Sequence, residues 1–301
     1  TRTAVGSFGK SLKNVSGAEL GATTILETIK RSKIKCENID EVIMGQVLTG
    51  SAGQNPARQA AIKSGIPKEK PAYIVNQVCG SGIRSVASGF QSIKVGDSKI
   101  IIAGGQESMS LAPHAIHIRE GKKIGDTEIT DTMIKDGLWD AFHGYHMGVT
   151  AENVATKFQV TRQEQDKFAL NSQEKALKAQ AENRFKEEIT SIKIKSKNAE
   201  INFNKDEHPR EGINLEALSR LKPVFQKNGS VTAGNASGIN DGAAAVTLMS
   251  SEEAKKREIE KLVTIKSWAS CGVDPALMGT GPIPSSKKAL ELAGWAVQDV
   301  D

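Results

Sequence analysis

The stretch from residue 72 to residue 96 most constrains the fold of this chain, because its hydrophobic period changes halfway. Residues 72–78 form a short apolar run with β-branched side chains, which predicts a buried strand. From Ile83 to Gly96 the apolar residues recur at helical spacing, which predicts an amphipathic helix. Cys79 therefore lies at the turn between a strand and a helix.

This position has chemical consequences for Cys79. A helix N-terminus presents unpaired N–H groups and partial positive charge, and both favour a thiolate over a thiol. The same N–H groups can hold the oxygen of an acyl group on the sulfur. A buried, inert cysteine is the commoner fate of a free thiol, but it leaves the flanking Gly80 and Gly82 unexplained, whereas close approach of the backbone explains them. We therefore predict that Cys79 is a nucleophile.

Strands and helices alternate through the first third of the chain. Helices are predicted over residues 18–33 and from Pro56 behind the N-cap Asn55, and strands over residues 41–47 and 99–105. This order predicts an α/β fold with a largely parallel sheet covered on both faces. The reactive crevice of such a sheet lies at the carboxyl ends of its strands, where Cys79 is expected.

The alternation stops after residue 107. Residues 108–150 lack a sustained period and are predicted to be long loops, which are usually functional or assembly elements. A capping box of Thr161 and Glu164 predicts a helix that ends near residue 183. The remaining predicted elements are strands over residues 189–194, 242–249 and 262–269, and helices over residues 214–221, 251–261 and 285–293.

Composition excludes several classes of protein. The chain has 301 residues, enough for one large domain or two smaller ones, with 40 basic and 35 acidic residues. The basic excess is spread out except at residues 193–197 (Lys-Ile-Lys-Ser-Lys), which we interpret as a solvated edge strand rather than a nucleic-acid site. No apolar run approaches the roughly 20 residues that span a membrane. A mildly basic surface favours a polyanionic ligand.

Cysteine and histidine spacing argues against disulfides and metals. The three cysteines are Cys36, Cys79 and Cys271. Their wide spacing fits neither a disulfide framework nor a zinc ribbon, and it favours a reducing, cytoplasmic compartment. The histidine pairs three residues apart are His114 with His117 and His143 with His146. We predict no cysteine or carboxylate ligand at their spacing, and therefore no metal site.

Five segments of the chain resemble motifs of the thiolase family, whose enzymes make and break 3-ketoacyl-CoA. Residues 76–82 (Asn-Gln-Val-Cys-Gly-Ser-Gly) resemble the nucleophile motif. The others are residues 53–59 (Gly-Gln-Asn-Pro-Ala-Arg-Gln), 103–107 (Ala-Gly-Gly-Gln-Glu), 145–148 (Tyr-His-Met-Gly) and 235–238 (Asn-Ala-Ser-Gly). These motifs keep the family's order and span most of the chain, and the likeness is strongest to short-chain, acetyl-transferring thiolases.

The resemblance implies a layered αβαβα fold of thiolase type. It divides the chain into an N-terminal α/β half over residues 1–107, to which residues 240–260 return, an inserted loop domain over residues 108–239, and the start of a C-terminal α/β half over residues 261–301. The second half is then largely absent, and we expect polypeptide at both ends beyond this sequence.

Catalytic motifs of the family's second half do not occur in these 301 residues. They are Gly-His-Pro, Cys-x-Gly-Gly-Gly and Asn-Glu-Ala-Phe. We therefore expect the 301-residue chain alone to be inactive. Cys271 does not match the second-cysteine motif, and we interpret it as a strand-end core cysteine.

The resemblance also implies an acyltransferase that works in two half-reactions. The cysteine takes an acyl group from one acyl-CoA as a thioester, and the carbanion of a second acetyl-CoA attacks it, which needs a base and an oxyanion hole. Two molecules of acetyl-CoA then give acetoacetyl-CoA and CoA, so coenzyme A is a substrate or product and no cofactor is expected. The protein is expected to have neither nucleic-acid nor membrane partners.

A homodimer or homotetramer is implied by two loops. Gln54 and its neighbours match a family segment that crosses the dimer interface towards the nucleophile, and residues 113–131 resemble the loop that joins dimers into tetramers.

The residues that match the family's CoA site follow residue 137. His146 and Met147 match the pair that lines the CoA and acyl pocket, with Met147 narrowing the acyl end, and Arg210 is expected to face the nucleotide phosphates. Ala217 stands where a serine is often found. The full set expected to line the CoA site is Leu138, His146, Met147, Arg210, Phe225, Ala233, Ser237 and Met278.

Three other functions stay open. A longer-chain 3-ketoacyl-CoA thiolase shares the motifs, although His146, Met147 and Met278 favour a short acyl chain. A decarboxylating condensing enzyme shares the fold type and the cysteine, although residues 145–148 and 235–238 favour a thiolase. The alternative outside enzymes is a CoA-binding fragment without turnover.

Overall fold

The computed structural model describes residues 1–195 and 200–301, which form two compact units. Unit 1 comprises Thr1–Gly137, Asn183–His208 and Gly238–Lys261, and unit 2 comprises Leu138–Glu182, Pro209–Ser237 and Leu262–Asp301. The three-part division expected from the resemblance stays a prediction.

The strands are short except for two. They are β1 (Arg2–Thr3), β2 (Gly6–Ser7), β3 (Glu41–Gly45), β4 (Ala72–Val75), β5 (Ile100–Ser108), β6 (His114–Ala115), β7 (Thr130–Asp131), β8 (Trp139–Asp140), β9 (Tyr145–His146), β10 (Ile189–Thr190), β11 (Ile192–Lys195), β12 (Glu200–Phe203) and β13 (Asn240–Met249). The helices are α1 (Gly17–Ser32), α2 (Pro56–Lys63), α3 (Ser81–Val95), α4 (Met147–Phe158), α5 (Arg162–Ala181), α6 (Leu215–Ser219), α7 (Ser251–Lys256) and α8 (Pro282–Ala293).

Unit 1 is built on a mixed sheet in the order β10-β1-β13-β5-β3-β4, with β2 also paired to β13. β3 runs parallel to β4 and β5, as predicted. β13 runs antiparallel to β5, from the pair Asp241–Ser108 to the pair Met249–Ile100. The prediction of a largely parallel sheet is therefore wrong at the centre, because β13 returns from late in the chain and inserts between β1 and β5.

Helices cover both faces of this sheet, as predicted. Ile100 and Ile102 of β5 pack in the cluster that contains residues of α1 and α2, whereas Ile101 and Ala103 pack in the cluster with α3. Successive strand residues face opposite sides of a sheet, so α3 lies on the face opposite to α1 and α2. All four β5 residues are fully buried, as a sheet covered on both faces requires.

Side-chain caps begin two helices where the sequence predicts them. Oδ1 of Asn55 accepts the N–H of Arg58 at 3.1 Å, with Pro56 in the first turn of α2. Oγ1 of Thr161 accepts the N–H of Glu164, and the Glu164 carboxylate accepts the N–H of Thr161 at 2.7 Å. This capping box starts α5.

Three predictions for the C-terminal part of the chain are wrong. Residues 262–269 form no strand in the described chain, and Leu262 and Val263 are 94% and 83% exposed. An apolar run becomes a strand only where a neighbour satisfies its backbone groups. Cys271 is consequently half-buried in an irregular segment, not a core residue at a strand end. The α7 helix ends at Lys256 rather than near residue 261, and its N-cap is Ser250.

Residues 108–150 contain more regular structure than predicted. They include the short strands β6 to β9 and a π-helix over Met133–Leu138. Helix α4 is not predicted from the sequence, because its first residue, Met147, falls within the region predicted to be loops. The predicted strand over residues 189–194 is divided, since β10 pairs with β1 and β11 pairs with β12.

The lysine-rich run at residues 193–197 falls only partly within the described residues. Lys193 and Lys195 are exposed in β11, which pairs antiparallel with β12. Ser196 and Lys197 lie outside the described residues. Every helix in the described parts of the chain is too short or too polar to cross a membrane.

Candidate active site

Cys79 lies in the turn between β4 and α3, as predicted. β4 ends at Val75 and α3 begins at Ser81, and the Cys79 side chain is exposed. β3, β4 and β5 are parallel neighbours, so their carboxyl ends meet at this edge of the sheet. The thiol therefore stands at the edge where parallel sheets bind ligands.

Side chains before and after Cys79 close this turn. The Ser81 hydroxyl accepts the N–H of Gln77 at 2.8 Å and donates to the carbonyl of Val78 at 2.6 Å. Oδ1 of Asn76 accepts the N–H of Val78 at 2.9 Å. Because these bonds satisfy backbone groups of Gln77 and Val78, they fix the chain directly before Cys79 without regular secondary structure.

Val78 adopts a strained backbone conformation. Its φ is 48°, in the left-handed region, which a β-branched residue rarely occupies. Such a residue costs about 1–3 kcal/mol and persists only where the surroundings impose it. The strain lies directly before the nucleophile, and nothing in the sequence pattern indicated it.

A glycine in a neighbouring strand allows α3 to begin where it does. A Cβ on Gly45, the last residue of β3, would overlap the backbone of Ser81 and approach the nitrogen of Gly82 to 2.6 Å. By contrast, a Cβ on Gly82 would meet no atom within 4 Å. The close approach expected at Gly80 and Gly82 is instead at Gly45, whose partner in space, Ser81, is remote in sequence.

Glu107 fixes the segment that follows β3. Its carboxylate accepts the N–H groups of Val47 at 2.8 Å and Leu48 at 3.1 Å. Burial raises the pKa of Glu107, and the two N–H donors only partly oppose that effect. Nδ2 of Asn76 donates to the carbonyl of Val47 at 3.5 Å, so a half-buried carboxyl on β5 supports the start of the Cys79 turn through this segment.

His146 begins α4 in unit 2. As the N-cap, it accepts the N–H of Gly148 through Nδ1 at 3.0 Å, so the ring proton is on Nε2. Its ring stacks on Phe225 with centroids 4.7 Å apart, and burial lowers its pKa. A Cβ on Gly148 would overlap the Phe225 ring, which explains the glycine after Met147. The structure thus brings together two residues that the resemblance placed in one pocket.

All eight residues expected to line the CoA site belong to unit 2. Leu138 ends the π-helix, and Met278 lies in a 3₁₀-helix over Pro275–Thr280. The N–H of Arg210 donates to Oε1 of Gln173 at 2.9 Å. Ala233 and Ser237 lie in an irregular segment that Phe225 precedes. Cys79 belongs to unit 1.

Comparison with protein families assigns nearly the whole chain. Residues 1–252 match the model described as "Thiolase, N-terminal domain" and residues 259–301 match "Thiolase, C-terminal domain". The chain belongs to the thiolase family.

Relatives with known names cover this thiolase from end to end. It is 56% identical over 300 residues to an acetyl-CoA acetyltransferase of Rhizobium meliloti. The alignment covers 100% of this chain and 76% of that protein. It is 49% identical over 302 residues to "Acetyl-CoA acetyltransferase, cytosolic" of Rattus norvegicus, with the same two coverages. The crystal structure of the Bacillus anthracis acetyl-CoA acetyltransferase superposes with a TM-score of 0.97 at 42% identity, covering 100% of this chain and 76% of that one. The expected thiolase-type α/β fold is confirmed.

The thiolase also contains a polar pair that the sequence analysis missed. Nδ1 of His143 lies 2.7 Å from Oδ2 of Asp140, and the His143 ring stacks on Tyr145. The expectation that no carboxylate lies at ligand spacing from the histidine pairs is therefore wrong, because the β8–β9 hairpin folds Asp140 back onto His143. No group of three or more metal-ligating side chains occurs among the residues that the structure describes.

Proposed function

We propose that this thiolase is an acetyl-CoA C-acetyltransferase, which converts two molecules of acetyl-CoA into acetoacetyl-CoA and CoA, reversibly. The observation that carries the proposal is the exposed Cys79 at the strand-to-helix turn of unit 1, in a chain whose relatives bear that name. Coenzyme A is a substrate and a product of this reaction, not a resident cofactor.

In the first half-reaction, Sγ of Cys79 attacks the carbonyl carbon of an acyl-CoA thioester. A new C–S bond forms, the old one breaks, and CoA leaves as a thiolate that takes up a proton. The N-terminus of α3 stabilises negative charge on the acyl oxygen as the tetrahedral intermediate forms. The strained turn keeps the sulfur exposed to the substrate.

In the second half-reaction, acetyl-CoA loses an α-proton to a general base, and the resulting carbanion attacks the Cys79 thioester. A C–C bond forms and the thiolate of Cys79 is released. Because Nδ1 of His146 is occupied by Gly148, its Nε2–H is left to donate to a carbonyl oxygen of bound acyl-CoA. Met147 narrows the acyl end, which favours two-carbon units.

Peptide mass mapping after incubation of the full-length protein with acetoacetyl-CoA tests the proposal. The acetyl group is expected on the peptide that contains Cys79 and is lost in Cys79→Ser. Cys36→Ser and Cys271→Ser are matched controls that keep the label, because neither residue lies at the turn. An acetyl group found on Cys36 or Cys271 instead sinks the assignment.

Chain-length preference separates this function from that of a longer-chain 3-ketoacyl-CoA thiolase. With Met147 and Met278 at the acyl end, kcat/KM for acetoacetyl-CoA is expected to exceed that for a long-chain 3-ketoacyl-CoA. The reverse order contradicts the short-chain assignment.

The thiolase is proposed to act in the cytoplasm as a homodimer or homotetramer. The name of the rat relative supports the location. β4 is an edge strand within the described residues, with Tyr73 39% exposed, and Ile124 in the loop of residues 113–131 is 92% exposed. These surfaces support an oligomer, and light scattering at micromolar concentration tests it, since a monomer contradicts it.

A further inference from the structure

Helix α4 reaches two segments of unit 2 that carry residues of the proposed CoA site. Adjacent residues in its second turn, Glu152 and Asn153, bond to different segments. One segment is residues 229–237, which has neither helix nor strand, and the other is the 3₁₀-helix Pro275–Thr280.

Glu152 holds the first segment by its backbone. The side chain is buried, with the residue only 4% exposed. Oε1 accepts the N–H groups of Ser230 and Val231, each at 2.8 Å, and Oε2 accepts the Ser230 hydroxyl at 2.8 Å. A buried carboxylate is costly unless donors surround it, and here the donors come from one short segment. A Cβ on Gly229 would overlap Oε1, so the backbone lies directly against the carboxylate.

Asn235 forms hydrogen bonds within the same segment and to α5. Its Oδ1 accepts the N–H of Thr232 at 2.8 Å, while Nδ2 donates to the carbonyl of Ser230 and to Oδ1 of Asp166, each at 3.0 Å. Ala233 lies inside this closed stretch. Its position therefore depends on Glu152 at one end and Asn235 at the other.

Asn153 holds the second segment. Its Nδ2 donates to the carbonyl of Ala276 at 3.1 Å and to the hydroxyl of Tyr145 at 3.2 Å. Ala276 lies two residues before Met278, and Tyr145 directly precedes His146. The side-chain amide of Asn153 thus connects the 3₁₀-helix that carries Met278 with β9, the strand that leads into α4.

We infer that Glu152 and Asn153 are positioning residues with separate effects on the substrate: Glu152 sets affinity for the CoA moiety, and Asn153 sets selectivity for acyl-chain length. Glu152 supports the segment with Ala233 and Ser237, which contact the part common to every acyl-CoA. Asn153 supports Met278, which contacts only the variable part. The inference rests on the proposed function.

Two variants test the separation. Glu152→Gln keeps the shape but turns a donor towards backbone N–H groups, so the Kd of CoA and the KM values of acetoacetyl-CoA and 3-ketohexanoyl-CoA are expected to rise together by about tenfold, with kcat little changed. Asn153→Ala is expected to leave the Kd of CoA unchanged and to alter the ratio of kcat/KM between the two substrates by about threefold or more.

The controls separate positioning from general loss of stability. Gly294→Ala places a side chain in the left-handed C-cap of α8, and an added Cβ there meets no atom within 4 Å, so it lowers the melting temperature and leaves both readouts at wild-type values. Alkylation of Cys79 by iodoacetamide keeps its wild-type rate in every variant, because Cys79 belongs to unit 1. If Glu152→Gln does not fold, Ser230→Ala removes one hydroxyl bond to Glu152 and is expected to raise the Kd of CoA about threefold.

An unchanged Kd of CoA in the Glu152 and Ser230 variants overturns the role of Glu152. An unchanged substrate ratio in Asn153→Ala overturns the role of Asn153, as does an effect on the Kd of CoA equal to that of Glu152→Gln. Calorimetric binding of CoA needs no turnover, so these outcomes are distinct from failure of the proposed function, which shows as a full-length wild-type protein that transfers no acetyl group.

Discussion

His146 stacks on Phe225, with ring centroids 4.7 Å apart and ring planes 17° apart. The same ring accepts the N–H of Gly148 through Nδ1. Burial lowers the pKa of His146, and a protonated ring would lose its bond to Gly148. The start of α4 is therefore built around a neutral imidazole.

The titration of His146 should depend on Phe225. With its pKa lowered in the folded state, His146 stays neutral where the unfolded chain binds a proton, so the free energy of unfolding falls as pH falls through the ordinary value of 6.5. In Phe225→Ala the ring is more exposed, and its NMR titration midpoint should move back up towards 6.5. A wild-type midpoint above 6.5 would contradict this account.

Gly45 and Gly82 should respond oppositely to alanine. A methyl group on Gly45 meets the backbone of α3, so Gly45→Ala is expected to cost about 3 kcal/mol in the free energy of unfolding and to slow acyl transfer by Cys79. Gly82 lies in α3, and a methyl group there would meet no atom within 4 Å. Gly82→Ala should therefore raise the free energy of unfolding by about 0.5–1 kcal/mol. Urea unfolding measures both, and equal losses would show that the close approach is not at Gly45.

Backbone strain at Val78 should lower the free energy of unfolding of the wild-type protein. Asparagine tolerates the left-handed conformation better than a β-branched residue, so Val78→Asn is expected to raise the free energy of unfolding by about 1 kcal/mol. The bonds from Asn76 and Ser81 to the backbone of residue 78 are kept, so the rate of Cys79 acylation should stay at its wild-type value. Thermal unfolding and single-turnover acylation check the two effects, and a destabilised variant would argue that Val78 carries no strain.

Glu107 should make unit 1 less stable as pH rises. The pKa of Glu107 is raised in the folded state, so above pH 4.5 the folded chain still holds a proton that the unfolded chain has lost. The free energy of unfolding therefore falls as the pH rises above 4.5. Glu107→Gln cannot titrate, so its stability should improve relative to wild type as pH rises from 4.5. Parallel pH dependences of the two proteins would contradict this.

Local signals predicted the Cys79 turn and the starts of α2 and α5. The change of period at residues 72–96 and the caps at Asn55 and Thr161 are encoded within a few residues, and the structure confirms each of them. Gly45 could not be predicted in this way, because its reason for being glycine lies at Ser81, 36 positions away in the same chain.

The features that could not be predicted all depend on residues that are distant in sequence. β13 is a good strand by its own sequence, but its antiparallel place between β1 and β5 depends on pairing with residues far behind it in the chain. Leu262 and Val263 resemble a strand and remain exposed because no described strand pairs with them. The burial of Glu152 has no local signal, because its partners are the N–H groups of Ser230 and Val231, 78 and 79 positions away.

The position of β13 also imposes an order of assembly on unit 1. The N–H of Ala245 donates to the carbonyl of Thr1 at 2.9 Å, and the Thr28 hydroxyl of α1 donates to the carbonyl of Ala245 at 3.2 Å. During synthesis at about 5–20 residues per second, the edge of β5 stays unpaired for roughly seven to twenty-eight seconds while residues 109–249 are made. Such an edge can pair with other chains. Newly made protein is therefore most prone to aggregate before residue 249 leaves the ribosome.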